Sequence, residues 1–130
     1  MLTKILNKTS LKQLGEYLNA REISCNCELD ECLYTLICPE LITRFDKLRF
    51  EVNSPIRITS GFRCKEWNKI CGGVSHSKHQ VGAAIDMKPP IDMPLNQFAK
   101  AAWGIFDKVI MYKHGDFIHC SIDIFKEDIK

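Results

Sequence analysis

Residues 77–90 read Ser77-Lys78-His79-Gln80-Val81-Gly82-Ala83-Ala84-Ile85-Asp86-Met87-Lys88-Pro89-Pro90. Residues 84–88 have the pattern of a strand, and the two prolines end it because neither can donate a ladder hydrogen bond. Upstream, the small residues at 82–84 allow a tight turn, so His79 on the loop and Asp86 on the strand can converge. The fold is read outward from this strand.

Before it, Ile56-Arg57-Ile58-Thr59 alternates apolar and polar as a half-buried strand does, after a break at Pro55. After it, residues 94–106 read as a long helix. Two further strands, 108–112 and 117–124, flank the turn residues His114-Gly115-Asp116. Pro39 at a first-turn position, followed by Leu41, Ile42, Phe45, Leu48 and Phe50, predicts an amphipathic helix. A short helix is expected over 65–70, stopped by Gly72-Gly73. At the N-terminus, Ser10 is read as the cap of a helix through Leu11, Leu14 and Leu18, and a cysteine-rich link follows over 24–38. Helices gathered early and strands gathered late predict an α+β fold, an antiparallel sheet with helices packed on one side.

The length of 130 residues predicts one domain, 1–130, with its core motifs in 56–124 and residues 1–38 as a helix plus the cysteine-rich segment. Eighteen basic against sixteen acidic residues leave a net charge of +2. With no Lys/Arg run, that argues against a nucleic-acid partner, because phosphate neutralisation dominates such binding. No stretch is long and apolar enough to span a bilayer, so no membrane association is expected. The first residues lack the continuous apolar core of a secretory signal, so synthesis in a cytoplasm is expected, where structural disulfides are unusual.

All four histidines, His76, His79, His114 and His119, fall in the second half of the chain. A catalytic zinc site needs three His, Asp, Glu or Cys ligands and leaves a fourth position to water. In the last strand, His119 shares a face with Phe117, Ser121 and Asp123, while Ile118, Cys120 and Ile122 point the other way.

Four motifs stand in order along the chain: Ser60-Gly61-Phe62-Arg63, then Asn68 with Gly72-Gly73, then the run from Ser77 to Asp86, then Asp116-Phe117-Ile118-His119. Together they resemble the M15 zinc D,D- and L,D-peptidases, over roughly residues 41–123. The resemblance implies a fold shared with the hedgehog signalling domain and hydrolysis of a peptide bond in bacterial peptidoglycan. It implies zinc held by His79, Asp86 and His119, with Asp116 as general base. Arg63 would hold a carbonyl oxygen or a substrate carboxylate. Chain length and the missing signal also resemble phage-encoded members that act as endolysins or in a virion, reaching the cell wall after release.

Other roles are weighed beside these. Arg63 has a rival role in a structural salt bridge. Asp116 lies an odd number of residues before His119, so it reaches the same side only from a turn or bulge; Asp123 is the next candidate base. Ser77, His76 and His114 are candidate substrate contacts, with Ser77 more simply a loop cap. Asn68, Gly72 and Gly73 read as loop scaffold. Cys25, Cys27, Cys32 and Cys38 stand close enough in sequence for a second, structural zinc site. However, C-x-C lacks the paired C-x-x-C knuckles, so buried thiols acting as small hydrophobes are preferred. Cys64, Cys71 and Cys120 read as packing residues, and no Cys is placed by motif beside a His as a nucleophile. The chain is expected to act as a monomer. The alternative to a peptidase is a zinc-stabilised binding or virion structural protein on the same fold.

Overall fold

A computed structural model describes residues 4–29 and 32–123. The central element is a four-stranded antiparallel sheet in the order β5-β6-β8-β7, built from β5 (Arg57–Ser60), β6 (Ala84–Lys88), β7 (Lys108–Tyr112) and β8 (Phe117–Ser121). Its two faces differ as strand alternation requires. Ile85, Cys120 and Val109 lie opposite one another on one face, as do Met87 and Ile118. These join the buried core with Leu41, Phe45 and Leu48 of helix α1 (Pro39–Val52) and Phe98 and Ala102 of helix α3 (Leu95–Trp103). The architecture is α+β, with the two longer helices on the apolar face. The short helix α2 (Lys65–Ile70) packs beside a 3₁₀ turn, Lys78–Val81, in the loop that leads into β6.

Helix α1 begins with Pro39 in its first turn, where the missing N–H costs nothing, and ends at Asn53 in a left-handed conformation. Phe50 is 76% exposed, outside the buried stripe to which its hydrophobicity assigned it. Helix α3 stops at Gly104, short of the expected residue 106, although Phe106 still reaches the core. Strand β8 ends at Ser121, and residue 124, the expected end, lies outside the described residues.

The largest departure is N-terminal. Instead of a helix from Ser10, the chain forms β1 (Lys4–Asn7), a minimal hairpin of β2 (Gln13–Leu14) and β3 (Leu18–Asn19), and a 3₁₀ turn, Ala20–Ile23. Strand β4 (Tyr34–Ile37), unforeseen in the sequence, pairs with β1. Leu14 and Leu18 are direct partners across the hairpin, so both face the core. A spacing of four, the mark of a helical face, is equally the spacing across this turn. Leu11, the third residue of the supposed stripe, is 68% exposed. Gly15 decides between the two structures: its φ is +65°, and a Cβ there would sit 2.3 Å from Asp46 Oδ2. A φ of +65° lies outside the right-handed helical region.

The N-terminal elements hold the loops that lead to the site. The Phe62 N–H donates to the Ile23 carbonyl at 2.7 Å, and the Cys38 N–H donates to the Gly82 carbonyl at 3.0 Å. Both contacts rely on glycine. A Cβ on Gly61 would meet Ile23 O at 2.5 Å, and one on Gly82, where φ is +73°, would meet Leu36 O at 2.4 Å.

Candidate metal centre

Ser60, Asp86, His119 and Ile110 form one row across the four strands, on the face away from the core. Directly opposed residues share a face, so Asp86 and His119 meet by register alone. His119 Nδ1 lies 2.9 Å from Asp86 Oδ1. His79 arrives from the 3₁₀ turn above the sheet, its Nε2 3.2 Å from His119 Nδ1 and 3.2 Å from Asp86 Oδ1.

Neighbouring groups fix how these ligands present themselves. His79 Nδ1 donates to the Gly61 carbonyl at 2.7 Å, so the neutral ring carries its lone pair on Nε2, facing Asp86 and His119. Ser77 caps the turn that carries His79, its Oγ accepting the His79 N–H at 3.2 Å. Asp86 divides its carboxylate: Oδ1 faces the histidines, and Oδ2 accepts from Arg63 Nη2 at 3.1 Å. Burial would push the Asp86 carboxyl up, but hydrogen bonds from the His119 and His79 rings, when these are protonated, hold it down at about 2. A carboxylate and two imidazole nitrogens thus converge where only positive charge satisfies all three. Donor number and type fit a divalent metal ion with further positions open.

One side of this triangle opens on a cavity of about 570 Å³. Arg63, His76, Ser77, Lys108, Tyr112 and Phe117 are among its walls. Tyr112 and Phe117 stack with ring centroids 4.7 Å apart. Phe117 lies on the His119 side as its alternation predicts, whereas Tyr112, Lys108 and Ile110 are wall residues that the sequence did not single out. Their signal was available, since alternation places residues 108, 110 and 112 on the His119 side once the two strands are paired.

The remaining expected site residues are distributed unevenly. Arg63 lines the cavity and also makes the salt bridge weighed against its catalytic role, with Nε donating to Ser60 Oγ at 3.0 Å. Asp116 stands on the turn before β8 with φ +51°, outside the alternation that would have turned it away from His119. Its side chain is exposed and it does not line the cavity, although its neighbour Phe117 does. His114, on the same turn, is exposed and away from the cavity. Asp123 pairs with Lys78 at 2.9 Å instead of approaching the triangle. Asn68 is buried and donates to the Val74 carbonyl at 2.8 Å, and a Cβ on Gly73 would strike Asn68 Oδ1, as the scaffold reading requires.

The cysteines divide differently from the sequence expectation. Cys38 belongs to the main core with Cys120, and Cys71 is exposed and packs against neither core. Cys64, read as a packing residue, instead joins Cys25, Cys27 and Cys32 in a second cluster whose four sulfurs all lie within 4.8 Å of one another. Sequence proximity favoured Cys38, but strand β4 carries it away to the core, and the Phe62–Ile23 contact brings Cys64 in from across the chain.

A search of curated proteins found no match. A family model described as Peptidase M15 matches residues 16–121, which span the ligand triangle, the cavity walls and most of the N-terminal elements. No helix among the described residues is long and apolar enough to cross a membrane. The ordered motifs, the His-Asp-His convergence and the family match agree, and the chain belongs to the M15 family of peptidases.

Proposed function

We propose that this chain is a zinc-dependent peptidase that hydrolyses a peptide bond in bacterial peptidoglycan, as a carboxypeptidase or an endopeptidase. The convergence of His79 Nε2, Asp86 Oδ1 and His119 Nδ1 at the wall of an open cavity carries this reading. Two histidines and a carboxylate also suit iron(II); membership of a peptidase family supports zinc, because hydrolysis needs no redox-active metal. When bound, zinc lowers the pKa of its water to about 7 and polarises the scissile carbonyl.

The side chains supply the rest. Gly61 holds the His79 tautomer, and Arg63 holds the Asp86 rotamer, so the ligands are oriented before any ion arrives. Arg63 also lines the cavity, and its permanent charge is available to a developing oxyanion or a substrate carboxylate. Asp116 is the proton acceptor in this reading, returning the proton to the leaving amine. Its turn immediately precedes Phe117, a wall of the cavity. Tyr112 and Phe117 offer an apolar wall to the peptide, and Ser77 serves His79 as its cap. The site of action is the bacterial cell wall, reached after release from the cell of synthesis or as part of a virion.

The deciding experiment is digestion of defined peptidoglycan by the zinc-loaded protein, with mass spectrometry of the products. Fragments from a single peptide-bond cleavage, absent with His119→Ala, are expected. Zinc-loaded protein that leaves every peptide intact would overturn the proposal in favour of a binding or structural role.

A further inference from the structure

We propose that Cys25, Cys27, Cys32 and Cys64 form a second, structural metal site for a thiophilic divalent cation, zinc above others, tying the N-terminal segment to the loop that carries Arg63. The sulfur spacing carries the argument. Cys64 Sγ lies 3.6 Å from Cys25 Sγ and 3.7 Å from Cys27 Sγ. Four thiolates around zinc at about 2.3 Å, tetrahedrally placed, stand about 3.8 Å from one another. A disulfide would single out one pair at about 2.05 Å. Here Cys64 is nearly equidistant from two partners, and all seven cysteines are free.

The backbone around the cluster supplies donors that metal-bound sulfurs would accept. The Cys64 N–H donates to Cys25 Sγ at 3.3 Å, and the backbone N–H groups of Cys27 and Leu29 donate to Cys25 and Cys27 sulfur. Such donors stabilise negative sulfur. Lys8 Nζ stands 3.5 Å from Cys27 Sγ and 3.2 Å from its carbonyl, a cation beside a site that would carry net negative charge with zinc bound. All four cysteines are buried, with Phe62 among them and Leu36 and Trp67 packed against the group. They form a cluster separate from the main core. A closed site with four sulfur ligands is the form of structural zinc, whereas the His-Asp-His triangle opens on a cavity.

The site does not rest on peptidase activity, and its test does not use it. Metal content is measured on the wild-type protein and on a His79→Ala/His119→Ala double variant, followed by mercurial titration of the thiols with zinc release monitored. Two zinc ions per chain are expected in the wild type and one in the double variant. That remaining ion should leave as thiols are modified, and its cobalt replacement should show an intense sulfur-to-cobalt charge-transfer band. Cys64→Ser should remove this ion. If that variant does not fold, the titration of the double variant still decides. A double variant that holds no metal, or thiols that react without releasing any, would overturn the proposal.

Discussion

The two ligand clusters sit on either side of one short segment, since Arg63 braces Asp86 in the first and the next residue, Cys64, belongs to the second. They are built oppositely. The first takes three ligands of mixed chemistry from a turn and two paired strands, and leaves one side to a cavity of about 570 Å³. The second draws four sulfurs from loops and encloses them in apolar side chains. Ligand number and enclosure, more than ligand identity, separate a centre that can admit substrate from one that can only hold chain segments together.

The comparison breaks most visibly at the open cluster. Asp86→Ala should reduce peptidoglycan cleavage to background and remove one zinc, while the cysteine cluster keeps its own; loss of both ions would show that the clusters are interdependent. Asp116→Ala should lower turnover about 10²–10⁴-fold with both ions retained, and unchanged turnover in the cleavage assay would remove Asp116 as base. Arg63→Gln leaves Asp86 Oδ2 without its partner, so zinc at the open cluster should bind about 10–100-fold more weakly in a chelator competition.

Gly82→Ala tests the seam between the clusters. Its φ of +73°, and the Leu36 carbonyl oxygen only 2.4 Å from where the added Cβ would stand, predict a loss of about 1–3 kcal/mol from the backbone alone, read by denaturant unfolding. The smallest effect lies outside both clusters, at Asp107. The Asp123 N–H at 2.7 Å and Arg44 hold its carboxyl below the usual range. Its contribution is therefore complete above the unfolded pKa of about 3.9 and is lost as pH falls through the lower folded value. Asp107→Asn should flatten the acid side of the thermal-stability profile without changing metal content.

The open cluster was legible in the sequence for a physical reason. Asp86 and His119 are fixed by strand alternation and pairing, and His79 lies a short loop away from Asp86, so local pattern and motif order suffice. The cysteine cluster was not, because Cys64 reaches it through the Phe62–Ile23 contact, a tertiary event with no local trace. The Leu14–Leu18 spacing misled for a related reason, since a tight hairpin and a helix place residues four apart on one side alike. Arg63 showed a third kind of ambiguity. Its position after a strand and glycine was readable, but only the fold revealed that bracing Asp86 and lining the cavity are compatible.

Gly61 has a consequence for anyone who would rebuild this molecule. Its carbonyl sets the His79 ring, and its missing side chain admits the Ile23 backbone. The four-stranded sheet is therefore not a transplantable cassette: a chimera that exchanged residues 20–37 for a foreign sequence would have to reproduce the approach of Ile23, or the loop bearing Gly61 and Arg63 would lose its shape along with its neighbour.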